Sequence, residues 1–511
     1  MPHLTLSDIC AEHRRRFPNQ IAVVDGSVRL TWPQFDDRVN QAARLLASKG
    51  VRRGDRVLWL AQTSHRFLEL MVASARIGAM ICPANWRQSA DEFAFVIDDF
   101  TPTVVLWQNE EIGDRVDGAR TLASTSATWI QLDSERSDGY DALLAAQSAD
   151  PVAPTGDADD ALLVIYTAAI GGHPNGSMLS QHNLIAMGTV TAGVTGVDHR
   201  SVFINSGPLF HIGNFQFDSM ATFLFGGTNV YIRRVQEDEL LTLIAEERAT
   251  SAFLMPPTIF KLKELNETAK LDISSLRAGP MSQVWGDALP PDTTPWGTDA
   301  GGFGQTEVTG LAIMNPFGGR GIGNSGRPSP LTQVRIVGPD GNEVPDGTAG
   351  EITIRGETVH LGYWNRPDLN AERMRDGWWH TTDLGRREPD GTLHFMGTMT
   401  RMIKSAAENI YPQEVEACLT SHPAVREAAI IGVPDPRFTQ SVKAVVVLEP
   451  GQSASADDII EHCRAHIASY KKPKSVEFIE AIPRVGGLTD YEALDAMFGG
   501  GGYPGGANVN T

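Results

Sequence analysis

One stretch constrains this 511-residue chain more than any other: Tyr166-Thr167-Ala168-Ala169-Ile170-Gly171-Gly172-His173-Pro174-Asn175-Gly176-Ser177, entered from the apolar run Leu162-Leu163-Val164-Ile165-Tyr166. A β-rich run that opens into glycines keeps the frame of a nucleotide-binding turn, because glycine lets successive backbone N–H groups converge on an anion. A triphosphate cradle also needs Ser or Thr hydroxyls and a lysine to neutralise the outer phosphates. Between Thr167 and Ser177 this turn has neither, so only the backbone part of such a cradle survives, or else the turn is a relic that merely joins strand to helix.

The rest of the chain has ordinary globular chemistry, with 41% apolar residues and a length that predicts two to four domains. Its formal charge of −19 repels nucleic acid and anionic membranes at long range, so an anionic ligand needs a local basic pocket. Cys10, Cys82, Cys418 and Cys463 show no paired metal or disulfide spacing and read as reduced, structural residues of a cytoplasmic protein. No signal pattern follows Met1, and no apolar run is long enough to span a bilayer, which predicts a soluble protein.

Strand-like runs such as Ile21–Val24, Arg56–Leu60 and Thr103–Trp107 alternate with the helical patterns Phe35–Ser48 and Phe67–Gly78, which predicts an α/β sheet architecture with crossover connections. Val334–Val337, Gly350–Arg355 and Thr392–Phe395 are spaced by Asp-Gly turns and predict a small antiparallel β subdomain. From Gly397 a third unit is expected, with helices over Pro412–Leu419 and Ala456–Ala468 and strands over Ala428–Val433 and Val442–Leu448. The domains are therefore drawn at 1–396 and 397–492. Residues 493–511, with the glycine-rich run Gly499–Gly506, are expected to be a flexible tail.

Four segments occur in a fixed order: the damaged turn, Gly301-Gly302-Phe303-Gly304-Gln305-Thr306-Glu307, Trp379-His380-Thr381-Thr382-Asp383-Leu384-Gly385, and Gly397-Thr398-Met399-Thr400-Arg401-Met402-Ile403-Lys404-Ser405-Ala406-Ala407-Glu408-Asn409. Each is weak singly. Together they resemble the AMP-forming adenylating superfamily of acyl-CoA synthetases, luciferase-like enzymes and peptide-synthetase adenylation domains, over about Ile21 to Arg484. Pro208-Leu209-Phe210-His211-Ile212-Gly213 and Gly432-Val433-Pro434-Asp435-Pro436 favour the acyl-CoA synthetase branch. The resemblance implies a large N-terminal domain, made of two α/β sheet subdomains plus a small distorted β-barrel, and a small mobile α+β C-terminal domain. It implies two half-reactions, formation of an acyl adenylate from ATP and transfer of the acyl group to coenzyme A. It also implies roles: Glu307 as the magnesium-linked acid, Thr306 as the hydroxyl on the α-phosphate, and Asp383 as the ribose carboxylate. Gly302, Phe303, Gly304, Thr167 and Lys404 complete the nucleotide contacts so implied.

The departures from the family pattern are equally informative. Ala168, Ala169, Ile170 and Gly171 replace Ser-Gly-Thr-Thr, Asn175 replaces the turn lysine, and Thr489, after Pro483-Arg484, stands where a second lysine steadies the adenylation transition state. A lost cation against developing charge costs on the order of a hundredfold in rate. The losses fall on the triphosphate half of the chemistry, which makes both ATP and magnesium use doubtful. The expectation is a non-adenylating ligase, like that of diterpenoid antibiotic assembly, that takes acyl-AMP from a separate adenylating enzyme and forms only the coenzyme A thioester. The alternatives are a complete ATP-dependent acyl-CoA synthetase, a catalytically silent binder of acyl-AMP, and transfer to a carrier-protein thiol.

Thr398 and Thr400 replace the hinge arginine and acid, which bears on domain rotation, while Ala406-Ala407 replaces Gly-Gly and stays small. His211 reads as a core histidine in isolation and as an acyl-tunnel or gate residue in its motif. Phe210, Asn214, Phe215, Met255, Trp285 and Phe303 are candidates for an acyl pocket, against a plain core reading. Arg87, Lys443 and Lys472 are candidates for coenzyme A phosphates, against solvated surface charge. The acyl group is left open among aryl, terpenoid and fatty acids, and a homodimer, common among relatives, stays an option.

Overall fold

The computed structural model describes residues 3–167, 174–318, 325–399, 401–406, 408–485 and 488–503. The predicted α/β architecture holds, with a large N-terminal part and a small C-terminal one. A six-stranded sheet runs in the order Thr128–Gln131, Val104–Trp107, Arg56–Leu60, Met80–Pro83, Ala161–Thr167 and Asn175–Ser180. Its first five strands pair in parallel. Val57, Leu58, Ile81, Val104 and Val105 are fully buried, as expected of a sheet whose helices cover both faces. Ala161–Thr167 and Asn175–Ser180 close this sheet as an antiparallel hairpin with Thr167 opposite Asn175. Residues 168–173 of the damaged turn lie outside the described residues.

A second sheet, of five strands, has the order Ser251–Ala252, Val202–Asn205, Thr228–Tyr231, Ile21–Asp25 and Val28–Thr31. The helix predicted from Phe35 begins at Trp32, because Thr31 and Gln34 form a capping box that satisfies the first-turn N–H groups. The Asp-Gly-rich region folds as the predicted antiparallel unit, in which Gly302–Gln305 is an edge strand and Trp378–Arg387 pairs Ala349–Gly356 and Leu393–Thr398. Because Leu393–Thr398 belongs to this sheet, the crossing to the C-terminal part follows Thr398 rather than Gly397.

In the C-terminal part, Val425–Asp435 and Thr439–Leu448 form a long hairpin flanked by the helices Pro412–Thr420 and Ala456–His466. Those helices bring Cys418 and Cys463 together as hydrogen-bonded thiols, although 45 residues separate them in the chain. The tail expectation fails over 493–503. Tyr491–Phe498 is a helix capped by Asp490, and Leu494 is buried against the hairpin with Ile431 and Val445. Beyond it the Tyr503 hydroxyl accepts from the Gly432 N–H at 2.8 Å and from Arg401 at 2.5 Å. An aromatic anchor at the end of the glycine run thus orders a segment whose composition alone predicts mobility.

Candidate active site

Glycines at 302 and 304 let the Gly302–Gln305 strand lie hard against Gly310–Met314: a Cβ at Gly304 would fall 1.7 Å from the Gly310 carbonyl oxygen, and one at Gly302 would fall 2.2 Å from that of Ile313. The strand ends in a tight turn, Thr306–Val308, that tips Glu307 inward. Glu307 Oε1 accepts from the Tyr363 hydroxyl at 2.9 Å and the Thr167 hydroxyl at 3.2 Å, which joins the end of the damaged hairpin to the Gly-rich cluster. Burial raises the Glu307 carboxyl above its ordinary range despite these donors.

Asp383 accepts from the Gln305 amide and is buried, which pushes its carboxyl up to about 7. Two acids that resist ionisation in the free protein are ready for ligand donors or a cation. A magnesium ion held mainly by phosphate oxygens and water needs only one or two protein carboxylates, and Glu307 fits that need. Among the described residues no cluster of three or more His, Cys, Asp and Glu could hold a metal by itself.

The C-terminal part closes over this site and leaves a cavity of about 130 Å³ lined by Tyr166, Thr167, His211 and Thr306 on one side and by Glu408, Asn409, Tyr470 and Lys471 on the other. Arg87 pairs with Glu408 across the divide at 2.8 Å, and its guanidinium lies 5.0 Å from the Phe210 ring centre and 5.7 Å from that of Tyr470. Lys471 bridges Glu92 at 2.8 Å and Glu414 at 2.5 Å, and Ser89 donates to the His466 carbonyl at 2.9 Å. The Lys404 ammonium donates to Asn409 at 2.7 Å, and burial lowers its pKa, with Glu408 opposing.

The Gly213 N–H donates to His211 Nδ1 at 3.0 Å. The ring proton therefore sits on Nε2, and burial lowers the pKa of the ring, so His211 presents a donor and not a base. Of the predicted coenzyme A cations, Arg87 is engaged in the interdomain pair and Lys443 pairs with Glu477 at 3.4 Å. The cavity wall carries Lys471 in place of its neighbour Lys472. Adjacent lysines at 471 and 472 gave no signal for choosing between them, since only the turn that follows Ala456–His466 decides which one faces inward.

The altered family positions also have definite surroundings. Asn175 Oδ1 accepts from the Arg366 guanidinium at 3.1 Å, and that guanidinium is itself paired with the half-buried Asp99 at 2.8 Å. Thr489 lies in a two-stranded ribbon opposite Arg484, away from the cavity, and Arg484 pairs with Glu427 at 2.7 Å. Thr398 sits opposite Asp383 in the strand register. Ala406 has φ of +55°, a left-handed conformation that favours glycine, so a small side chain here still carries backbone strain. Thr400, Ala407, Gly486 and Gly487 lie outside the described residues.

A second cavity, of about 210 Å³, lies in the N-terminal part beside the strand Val202–Asn205. Met255 and Trp285 of the predicted acyl-pocket set line it, whereas Phe210 lines the interdomain cavity. The others are used in packing: Asn214 donates to Asn205 at 3.1 Å, the Phe215 ring lies 5.8 Å from Phe67, and Phe303 stacks on Phe395 at 5.1 Å. The cavity also contains Asp218, Ser251, Phe253 and Arg277, which no motif singled out.

Residues 10–364 match the AMP-binding enzyme family, and residues 414–486 match the AMP-binding enzyme C-terminal domain. The feruloyl-CoA synthase of Amycolatopsis sp is 33% identical over 482 residues, covering 92% of this chain and 94% of that protein. The long-chain-fatty-acid–CoA ligase FadD13 of Mycobacterium tuberculosis is 29% identical over 475 residues, covering 89% and 90%. Among solved structures, the amide bond synthetase McbA from Marinactinospora thermotolerans superposes with a TM-score of 0.81 over 97% of this chain and 100% of that one, at 24% identity, which speaks to the fold. The Mycobacterium tuberculosis fatty acyl CoA synthetase superposes with a TM-score of 0.68 over 97% of this chain and 98% of that one, at 27% identity. The chain belongs to the AMP-binding enzyme family, among relatives named as CoA ligases and synthases.

Proposed function

We propose that this protein forms a coenzyme A thioester from an acyl-adenylate and that its ATP-dependent adenylation step is weak or lost. The observation that carries the reading is the pairing of two features. The hairpin bearing Glu408 and Asn409 faces the cavity, and both positions where family members carry an adenylation lysine hold Asn175 and Thr489, with neither side chain a cation. The guanidinium that reaches residue 175 is neutralised by Asp99.

In the proposed reaction the coenzyme A thiol attacks the acyl carbonyl carbon. A C–S bond forms, the C–O bond to the AMP phosphate breaks, AMP leaves with that electron pair, and the thiol proton goes to solvent. The mixed anhydride is already activated, so the protein has only to position it and the thiol. Asp383 would hold the ribose and Thr306 the α-phosphate, with Thr167 and the Gly302–Gly304 strand framing the nucleotide. Glu307 would hold magnesium if the ion is bound. His211 would act as a gate that donates a hydrogen bond, and Arg87 with Glu408 would hold the domains closed around the pantetheine arm. Lys404 and Lys472 would supply cations near the entry, since Lys471 is already neutralised by Glu92 and Glu414. A separate adenylating enzyme, in the same cytoplasm, would supply the acyl-AMP.

The test supplies purified protein either with acid, ATP and magnesium or with synthetic acyl-AMP, each with and without coenzyme A. The expected result is thioester from acyl-AMP alone, with negligible ATP–pyrophosphate exchange. Exchange at rates normal for its relatives would establish the second reading, a complete ATP-dependent ligase, which the retained Thr306-Glu307 pair and the relatives' names favour.

A further inference from the structure

We propose that Cys418 and Cys463 are a redox-sensitive pair, which hydrogen peroxide converts to a disulfide that loosens the contact between the C-terminal part and the helix start at Ser89–Glu92. Cys418 lies in the helix Pro412–Thr420 and Cys463 in Ala456–His466. The packing of those helices puts each thiol within hydrogen-bonding reach of the other, in one apolar cluster with Val415, Leu419, Ile459 and Ile467. Two thiols in contact can be joined without rebuilding the backbone. Cys10 and Cys82 are fully buried in separate clusters of the N-terminal part and meet no such partner.

The pair is asymmetric, and the asymmetry assigns the chemical steps. Cys418 is 9% exposed, whereas Cys463 is wholly enclosed, so the oxidant reaches Cys418 first. The Cys463 S–H donates to the Cys418 sulfur, which lowers the pKa of Cys418, although burial and the nearby Glu92, Glu414 and Asp91 oppose it, and raises that of Cys463. The Cys418 thiolate attacks one peroxide oxygen; the O–O bond breaks, hydroxide leaves, and Cys418 becomes a sulfenic acid. The Cys463 sulfur then attacks the Cys418 sulfur, the S–O bond breaks, and the second oxygen departs as hydroxide. The two thiol protons and the two hydroxides make two waters, while two electrons pass from the sulfurs to the peroxide.

A disulfide holds its sulfurs about 2.05 Å apart, well inside nonbonded contact, so oxidation draws the two side chains together by roughly 1.5 Å. One turn away from each cysteine, on the same helix face, is a group that grips the N-terminal part. Glu414, before Cys418, holds Lys471 at 2.5 Å, and Lys471 also bridges Glu92 at 2.8 Å. His466, after Cys463, accepts at its carbonyl from the Ser89 hydroxyl at 2.9 Å, and its ring meets Asp91 at 3.0 Å. The helices are already joined at His462, whose Nε2 lies 3.1 Å from the Cys418 carbonyl oxygen and 2.9 Å from the Ser421 hydroxyl. With that junction fixed, a shortened sulfur contact turns one helix against the other rather than carrying both along. Hydrogen bonds weaken steeply once distance and angle leave their range, so this turn releases Ser89, Asp91 and Glu92. The effect on catalysis rests on the thioester reading above, because the same closure brings Glu408, Asn409, Tyr470 and Lys471 to the reaction cavity.

The test treats the full-length protein with hydrogen peroxide, blocks free thiols with iodoacetamide and reads the products by peptide mass spectrometry. The expected product is one cross-linked peptide joining Cys418 to Cys463, reversed by dithiothreitol, with Cys10 and Cys82 still reduced. Cys463→Ala should instead accumulate a sulfenic acid at Cys418 that dimedone traps, and Cys418→Ser should give neither product, so that either variant suffices if the other does not fold. Hydrogen exchange over residues 89–92 should quicken at least about tenfold on oxidation. Thioester formation, from whichever of benzoyl-, cinnamoyl- and dodecanoyl-AMP reacts fastest, should fall at least about fivefold and return with reductant. Absence of the cross-link, or sulfinic acid at Cys418 in its place, would overturn the inference. So would a bridge that leaves the exchange over residues 89–92, or the thioester rate of an active protein, unchanged. A protein that bridges and loosens at residues 89–92, yet makes no thioester from any acyl-AMP when reduced, would sustain the redox pair and overturn the thioester reading instead.

Discussion

Asp383, proposed as the ribose carboxylate, offers the sharpest test of the proposed nucleotide site, because its protonation can be read in a binding curve. Burial pushes Asp383 up to about 7, so in the free protein it is ionised to about 10% at pH 6 and about 90% at pH 8. Two ribose hydroxyls donating to it favour the charged form, so nucleoside binding must expel the proton wherever one is present. Adenosine is the right probe, since it has no group of its own that titrates between pH 6 and 8. Its affinity should rise about tenfold over that range, and calorimetry in buffers of different ionisation enthalpy should find about 0.9 proton released at pH 6. Asp383→Asn should bind more weakly and show no slope.

The sign for the unliganded protein follows from the same shift. An acid whose folded pKa is raised from 3.8 to about 7 stabilises the fold below pH 4 relative to higher pH, and that contribution is lost as pH climbs towards 7. The loss is at most about 4 kcal/mol, and Asp383→Asn should remove this pH dependence from chemical unfolding. A flat adenosine affinity from pH 6 to 8, or a slope that persists in the Asn variant, would refute the assignment.

Placing a lysine at both positions with Asn175→Lys and Thr489→Lys should raise ATP–pyrophosphate exchange by about a hundredfold, and no gain would count against the proposed electrostatic origin of weak adenylation. Arg87→Ala removes the 2.8 Å pair with Glu408 and should slow thioester formation from acyl-AMP about tenfold, in stopped-flow measurements, with adenosine affinity unchanged. Tyr503→Phe strands the Gly432 N–H and loosens Arg401, so urea unfolding should report a loss of about 1–3 kcal/mol, whereas a flexible tail would show none.

Local chemistry wrote much of the fold into the chain. The strand Arg56–Leu60 falls where its apolar run predicts, and Pro412–Thr420 and Ala456–His466 start at the predicted residues, because capping groups and apolar periodicity act within one turn or one pleat. The glycines at 302 and 304 were a weak signal singly and stood out only through the ordered set of motifs, and the close backbone approach that demands them is visible only in the structure. Other features arise from contacts between distant segments, and no local pattern encodes them. The Thr167–Glu307 bond spans 140 residues and the Arg87–Glu408 pair spans 321, so neither partner carries a mark of the other. The choice of Lys471 over Lys472, the neutral donor state of His211 and the ordering of the tail by Tyr503 depend likewise on which surfaces meet.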